Sequence, residues 1–196
     1  DNQVGQVVLC SSKNLTDWKF EGKVLPTVDD DPTSDLHPSQ VIERPKVIYN
    51  EKTGKFVMWM HIESPDYEKA HAGVAISDSP TGTFTYLGSF KPNGADSRDQ
   101  TIFKDDDGKA YHICSSEWNS TLYISLLTDD YTKPSGTYVR RFIGQSREAP
   151  AVFKRNGHYY MLSSGCTGWD PNKAKWAVSD SMLGVWELKD NPCLGR

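Results

Sequence analysis

Short apolar runs rich in Val, Ile, Tyr and Phe alternate along the chain with turns of Gly, Asp, Asn and Pro. Runs of this length and content predict strands, and no stretch holds a convincing helical period. The runs also repeat. Pro45-Lys46-Val47-Ile48-Tyr49 leads through Glu51–Lys55 into Phe56–Met60. Asp99-Gln100-Thr101-Ile102-Phe103 leads through Asp105–Lys109 into Ala110–Ile113, and Ala149-Pro150-Ala151-Val152-Phe153 through Arg155–His158 into Tyr159–Leu162. Each copy reads as strand, Gly-containing turn, strand, which is a hairpin. The aligned aromatics Tyr49, Phe103 and Phe153 lie 54 and 50 residues apart. A second motif sits between the copies. Ser77–Phe84 is similar to Ser179–Trp186, 102 positions on, with Thr128-Asp129-Asp130 near the midpoint and Ser11–Trp18 as a looser copy.

A unit of about 50 residues with four short strands is a propeller blade. In the middle unit the strands are predicted over Thr101–Lys104, Ala110–Ser115, Leu122–Leu127 and Tyr138–Phe142. Two strands precede the three full units, Gly5–Ser11 and Trp18–Val24. The fold class expected is therefore all-β, an incomplete β-propeller of about three and a half blades and 14 strands. The first half blade finds no partner strands, so residues 1–196 are expected to form one partial propeller domain, truncated at both ends.

Blade geometry sorts the loops. Inner strands start on one face, and the loop joining the second strand to the third returns to it. Glu43, Asp99 and Glu148 stand at inner-strand starts and are expected to crowd one channel mouth. The returning loops, Glu63–Ala72, Ser116–Thr121 and Ser164–Ala174, carry Tyr67, Glu117, Trp118, Asn119, Thr167 and Trp169. Taken singly, Glu43-Arg44, Arg98-Asp99 and Arg147-Glu148 read as structural ion pairs; three at equivalent positions read as a site. Carboxylates edged by aromatic rings suit sugar hydrolysis. An acid must protonate the leaving oxygen, and a ring face stacks on a pyranose. Pro150 is expected to hold Ala149 extended and stiffen the strand behind Glu148. Asp99 is expected, as a like charge, to keep Glu148 protonated near neutral pH.

Composition narrows the alternatives. Apolar residues make up 37% and aromatics 11%, which excludes a disordered chain. The net charge is −4 and no Lys/Arg cluster forms a stripe, so no nucleic-acid partner is expected. No apolar run approaches the roughly 18 residues of a membrane span. The chain begins at Asp1 with no signal peptide, consistent with a trimmed start. Cys10, Cys114, Cys166 and Cys193 lie far apart without a CxxC pair, so no zinc site is expected. Cys10 and Cys114 sit in apolar runs and are predicted to be buried free thiols, with a disulfide left open. Asp105-Asp106-Asp107-Gly108 lacks the Glu that would complete a calcium loop and reads as a solvated hairpin turn. His61, His71 and His112 have no metal spacing and read as surface or packing residues. Asn14-Leu15-Thr16 and Asn119-Ser120-Thr121 are sequons.

Five segments together resemble glycoside hydrolase family 43, most closely its exo-β-1,3-galactanase branch. They are Glu43–Asn50, Ser97-Arg98-Asp99, Phe103–Gly108, Arg147-Glu148-Ala149-Pro150 and Thr167-Gly168-Trp169-Asp170-Pro171-Asn172. The resemblance runs over essentially the whole chain. It implies a five-bladed β-propeller and an inverting mechanism that needs neither metal nor cofactor. By that resemblance Glu148 matches the general acid, Asp99 the carboxylate that tunes it, and Glu43 a carboxylate contacting the terminal galactose. Tyr67, Asn119, Thr167 and Trp169 match positions lining the sugar pocket. The implied partner is a galactan or arabinogalactan-type polysaccharide, met by a monomer that is secreted or periplasmic. The branch replaces the wider family's Asp base with a Gln, and Gln40, Gln100 and Gln145 do not match it. The chain is thus expected to hold only the acid half of the site. An α-L-arabinofuranosidase or β-galactofuranosidase on the same scaffold, and a non-catalytic sugar-binding propeller, are the alternatives.

Overall fold

A computed structural model of the chain describes residues 7–193. Gly5 and Gln6, the start of the first predicted strand, lie outside the described residues. Apart from a 3-10 turn at Pro92–Gly94, every element described is a strand. β1 (Val7–Ser12) and β2 (Trp18–Leu25) form a two-stranded sheet. Three four-stranded sheets follow. The first holds β3 (Val41–Asn50), β4 (Lys55–Glu63), β5 (His71–Ser77) and β6 (Thr85–Phe90). The second holds β7 (Gln100–Lys104), β8 (Ala110–Ser116), β9 (Thr121–Leu127) and β10 (Pro134–Arg141). The third holds β11 (Arg147–Arg155), β12 (His158–Gly165), β13 (Lys175–Ser179) and β14 (Glu187–Lys189). All neighbours pair antiparallel in chain order. The fourteen expected strands and their grouping are present, and such four-stranded meanders are consistent with blades of a partial propeller.

The sequence pattern explains which strands are central. β4 is buried without interruption from Val57 to Glu63, and β8 from Ala110 to Ser116. Strands covered on both faces read as continuous apolar runs. β12 instead alternates, with Tyr159, Met161 and Ser163 buried between more exposed neighbours. In the three aligned hairpins Gly54, Gly108 and Gly157 have φ of 68°, 81° and 81°, a left-handed conformation that costs glycine little.

The chain divides into two compact units, Asp1–Phe90 and Lys91–Arg196. The first packs β1–β6 around Val24, Leu25, Ile42, Met58, Met60, Ile62 and Phe84. The second packs Tyr111, Ile113, Leu122 and Ile124 of one sheet against Tyr159, Met161 and Ala177 of the next. Its two sheets are also tied by polar bonds. Ser115 Oγ donates to the Arg147 carbonyl at 3.1 Å, and Arg141 donates to the carbonyls of Gly184 (2.7 Å) and Leu183 (2.8 Å).

Two expectations fail here. Asp105 is not a solvated turn residue. It is buried, and its carboxylate takes Lys154 Nζ at 2.6 Å and the Tyr159 hydroxyl. The turn is built so that its first Asp pins the neighbouring sheet, while Asp106 and Asp107 stay exposed. Cys10 is exposed rather than buried, because it lies with Val8 on the uncovered face of β1. Cys114 is a buried free thiol, as expected. Ile113 is fully buried between the sheets of the second unit. Replacing it with Ala is expected to cost about 2–5 kcal/mol, read as a lowered urea midpoint at unchanged slope.

Candidate active site

Two of the three expected carboxylates are set by the same backbone device. In β3, Glu43 pairs with His61 and Lys46 with Trp59, so three steps on β3 match two on β4. In β11, Glu148 pairs with Ser164 and Ala151 with Leu162, again three against two. Each is a one-residue β-bulge placed directly after the Glu, in a Glu-x-Pro sequence. The intervening residues Arg44 and Ala149 have φ of 53° and 49°. Ala149 is therefore not extended, contrary to what Pro150 alone suggests. The bulge needs a left-handed residue at that point, and the sheet overrides the local preference. The result is a bend directly after each Glu, which itself keeps its ladder partner. Asp99 has no such bulge; it precedes β7, and its carbonyl accepts from Ser115 N at 2.9 Å.

In the first unit, Glu43 is held by two groups. Tyr67, at φ 60° in the β4–β5 loop, donates its hydroxyl to Glu43 Oε1 at 3.0 Å. His61 Nδ1 meets Glu43 Oε2 at 3.1 Å. The other ring nitrogen of His61 meets Glu63 Oε2 at 3.2 Å. Glu63 Oε1 accepts from the backbone N–H groups of Ser64 (3.0 Å), Lys69 (2.7 Å) and Ala70 (2.8 Å). His61 is 2% exposed and Glu63 is 0% exposed. Burial works against a charged imidazole, but the bonds to Glu43 and Glu63 outweigh it and raise the His61 pKa. The His61 contact, against desolvation and with help from Tyr67, lowers that of Glu43. Burial would raise the Glu63 pKa, yet His61 and the backbone amides lower it to about 2. His61 is thus neither a surface nor a simple packing residue. The signal was available: His61 and Glu63 share a face of β4, two residues apart, and His61 lies opposite Glu43. His112 fits the packing expectation, buried with its pKa pushed down to about 3.

In the second unit, Asp99 and Glu148 come together. Asp99 Oδ2 accepts the N–H of Ala149, the residue after Glu148, at 3.1 Å. Behind them the buried Arg147 sends Nε to Ser163 Oγ at 3.1 Å and Nη2 to the Ser163 carbonyl at 2.6 Å. Cys166, which sequence reasoning did not select, joins this cluster. Cys166 is exposed, yet partial desolvation of its sulfur, then the charge of Glu148 and a hydrogen bond to it, push the thiol up to about 11. It therefore stays protonated at neutral pH.

The β8–β9 loop runs through three consecutive left-handed residues, Glu117, Trp118 and Asn119, at φ 53°, 56° and 62°. Glu117 anchors the loop to Thr121 Oγ1 (2.8 Å), the Tyr123 hydroxyl (2.9 Å) and Arg140. The Arg98 guanidinium lies 4.7 Å from the centre of the Trp118 ring. Asn119 Oδ1 is buried without a hydrogen-bond partner among the described residues. The β12–β13 loop is shaped by Asn172. Its amide accepts from Gly165 N at 2.7 Å and donates to the Gly165 carbonyl (3.0 Å) and Thr167 Oγ1 (2.7 Å). Thr167 Oγ1 in turn donates to the Asp170 carbonyl at 2.6 Å. Trp169 stands on this loop 95% exposed, so its ring is not packed as an anchor against Pro171.

The model for glycosyl hydrolases family 43 matches residues 1–195. The chain belongs to glycoside hydrolase family 43. Among solved structures of the family, a β-1,3-galactosidase with galactodeoxynojirimycin is 42% identical with a TM-score of 0.93, over 96% of this chain and 68% of that one. An exo-β-1,3-galactanase from Clostridium thermocellum is 40% identical with a TM-score of 0.88, over 97% of this chain and 44% of that one. An exo-β-1,3-galactanase from Phanerochaete chrysosporium with β-1,3-galactotriose is 37% identical with a TM-score of 0.88, over 94% and 43%. A curated β-D-galactofuranosidase from Aspergillus niger is 33% identical over 94 residues, 46% of this chain and 26% of that protein. The chain thus spans less than half the length of these two galactanases and about a quarter of the galactofuranosidase. No helix of the described residues is long and apolar enough to cross a membrane.

Two outcomes follow for this family 43 chain. The left-handed Ala149 should accept Gly but not a β-branched residue, so Ala149→Val should lower stability by at least about 1 kcal/mol and Ala149→Gly should not. The raised pKa of His61 gives stability that is full below about pH 6.5 and is lost as pH rises through the folded value. The lowered pKa of Glu63 gives stability present above about pH 4.5 and lost as pH falls toward 2. Thermal midpoints of the native protein should therefore decline on the alkaline side, and His61→Gln should flatten that decline.

Proposed function

We propose that the chain is the catalytic part of an exo-acting hydrolase that releases galactose from β-1,3-galactan with inversion, and that Glu148 is its general acid. The observation carrying this reading is the cluster at the second bulge, where Asp99 is bonded to the amide beside Glu148. A carboxyl next to a second carboxylate favours its protonated form, which is what leaving-group protonation requires. Glu43, at the bulge of β3 and held by Tyr67, is an acceptor for hydroxyls of the terminal sugar. Asn119 is assigned to the sugar pocket by its place on the β8–β9 loop, and the exposed Trp169 ring offers a stacking face. Cys166, Asp99 and Thr167 line the pocket around Glu148 on this reading. We place Asp99, Glu148, Asn119, Thr167 and Trp169 at one face of the second unit, part of a five-bladed propeller of which the chain supplies about three and a half blades. Inversion needs a second group roughly 6.5–9.5 Å from the acid to orient water. None of Gln40, Gln100 and Gln145 fits that part, so we assign it to residues beyond this chain. Action on an extracellular polysaccharide by a secreted or periplasmic monomer completes the proposal.

The resemblance to a β-D-galactofuranosidase favours a second reading, the furanose form of the same sugar on the same scaffold. Product analysis on β-1,3-galactan, beside aryl β-galactopyranoside and β-galactofuranoside, separates the two. In the full-length enzyme, Glu148→Gln should lose at least about a hundredfold in rate on galactan. The loss should be smaller on aryl substrates whose leaving group needs no proton. An equal loss on both would make Glu148 a sugar-binding residue and turn attention to Asp99 or Glu43. Trp169→Ala should weaken sugar binding by about 1 kcal/mol in calorimetry, with the melting temperature unmoved because the ring covers little.

A further inference from the structure

We infer that His61 and Glu63 are positioning residues which hold Glu43 as an oriented, ionised acceptor for hydroxyls of the terminal sugar. The inference rests on the reading of Glu43 as a sugar contact. Both ring nitrogens of His61 face carboxylate oxygens, at 3.1 Å to Glu43 and 3.2 Å to Glu63. A neutral imidazole donates from one nitrogen only, so both contacts are satisfied only by the doubly protonated ring. The cation sits between two carboxylates in a buried position, an arrangement of one positive and two negative charges. Without the ring charge the two carboxylates would face each other across low-dielectric space.

Glu63 does more than balance charge. Its second oxygen gathers the amides of Ser64, Lys69 and Ala70, three points along the loop that carries Tyr67. Tyr67 and Ala70 both have left-handed φ, 60° and 48°, so this loop is held in a shape its residues do not favour alone. One buried carboxylate thereby fixes the ring that grips Glu43 from one side and the loop whose phenol grips it from the other. Both oxygens of Glu43 are oriented, and their remaining lone pairs face a defined direction. A carboxylate locked in this way discriminates among sugars by the direction of neighbouring hydroxyls, since a misdirected hydroxyl leaves a desolvated acceptor unsatisfied. The ionisable or charged groups about His61 are Glu43 on β3, Glu63 on its own strand and Tyr67 on the loop, with Arg44 acting on Glu43. Its partner on β5, Ala72, is uncharged.

The test uses the full-length enzyme in two arms. Ring-nitrogen NMR of labelled histidine, assigned with His61→Gln, should show His61 doubly protonated at pH 7 in the native protein. A neutral His61 there would overturn the inference whatever the substrate, and this arm needs no folded variant beyond the assignment. In the second arm, Glu63→Gln keeps the side-chain shape and removes the charge. Its KM on β-1,3-galacto-oligosaccharide should rise about tenfold or more, with kcat changed much less, the pattern of lost ground-state binding. Galactose affinity should fall in parallel. Discrimination between galactose and glucose, which differ in the direction of one hydroxyl, should narrow. A fall in melting temperature with unchanged KM and unchanged discrimination would mark the pair as structural and overturn the inference. If the native enzyme neither cleaves the galactan nor binds galactose, the proposed function fails, and the His61 protonation state still decides the relay.

Discussion

A single extra residue in a β-ladder governs where two of the candidate carboxylates of this chain sit. In β3 and β11 the ladder skips one position immediately after a Glu. The skipped residue is left-handed, costing about 1–2 kcal/mol for a residue with a Cβ. The cost is offset by what the bulge releases. The N–H of Ala149 leaves the ladder and serves Asp99 instead. The bulge therefore bends β11 directly after Glu148, which stays paired with Ser164, and the same peptide collects a second carboxylate beside it. Pro150 follows at once and locks the next turn of backbone, so the bend is not free to relax. Arg44 and Pro45 repeat the arrangement behind Glu43.

The two glutamates share a backbone but not an environment. Glu43 is gripped by a phenol and an imidazole, and its pKa is lowered. Glu148 stands near Asp99 and a thiol that remains protonated, and its charge acts on Arg147, whose guanidinium bonds to Ser163. Different surroundings would let identical side chains take different parts, the sugar-hydroxyl acceptor and the proton donor of the proposed function. The strands supply the positions; the neighbours, drawn from adjoining strands and loops, supply the chemistry.

The strand framework was legible because a four-stranded meander is a short unit repeated, and three copies reinforce a pattern too weak in one. The spacing of Tyr49, Phe103 and Phe153 was enough to group the strands in fours. Loop assignment was legible for the same reason, and it placed Tyr67 within reach of Glu43. What escaped was set by contacts across strands. The role of His61 depends on facing Glu43 on β3 and Glu63 on its own strand at once, which no single stretch of chain displays. Ala149 misled because the rule for residues before proline is local, whereas a bulge is imposed by the partner strand. Asp105 looked like a turn residue since its partners, Lys154 and Tyr159, come from the next sheet some fifty residues on. Cys10 looked buried because apolar neighbours say nothing about whether a second layer covers the strand.

The loop bearing Trp169 has a thermodynamic consequence. Asn172 closes it with three bonds of its own amide, imitating a rung of sheet where the backbone has none. The ordering entropy of that loop is consequently settled when the chain folds, not when a ligand arrives. A large ring held almost wholly in water on a loop closed by its own bonds is an apolar surface open to contact. The free-energy gain of covering it is then available to whatever flat, partly apolar molecule lands there, undiminished by the cost of assembling the platform.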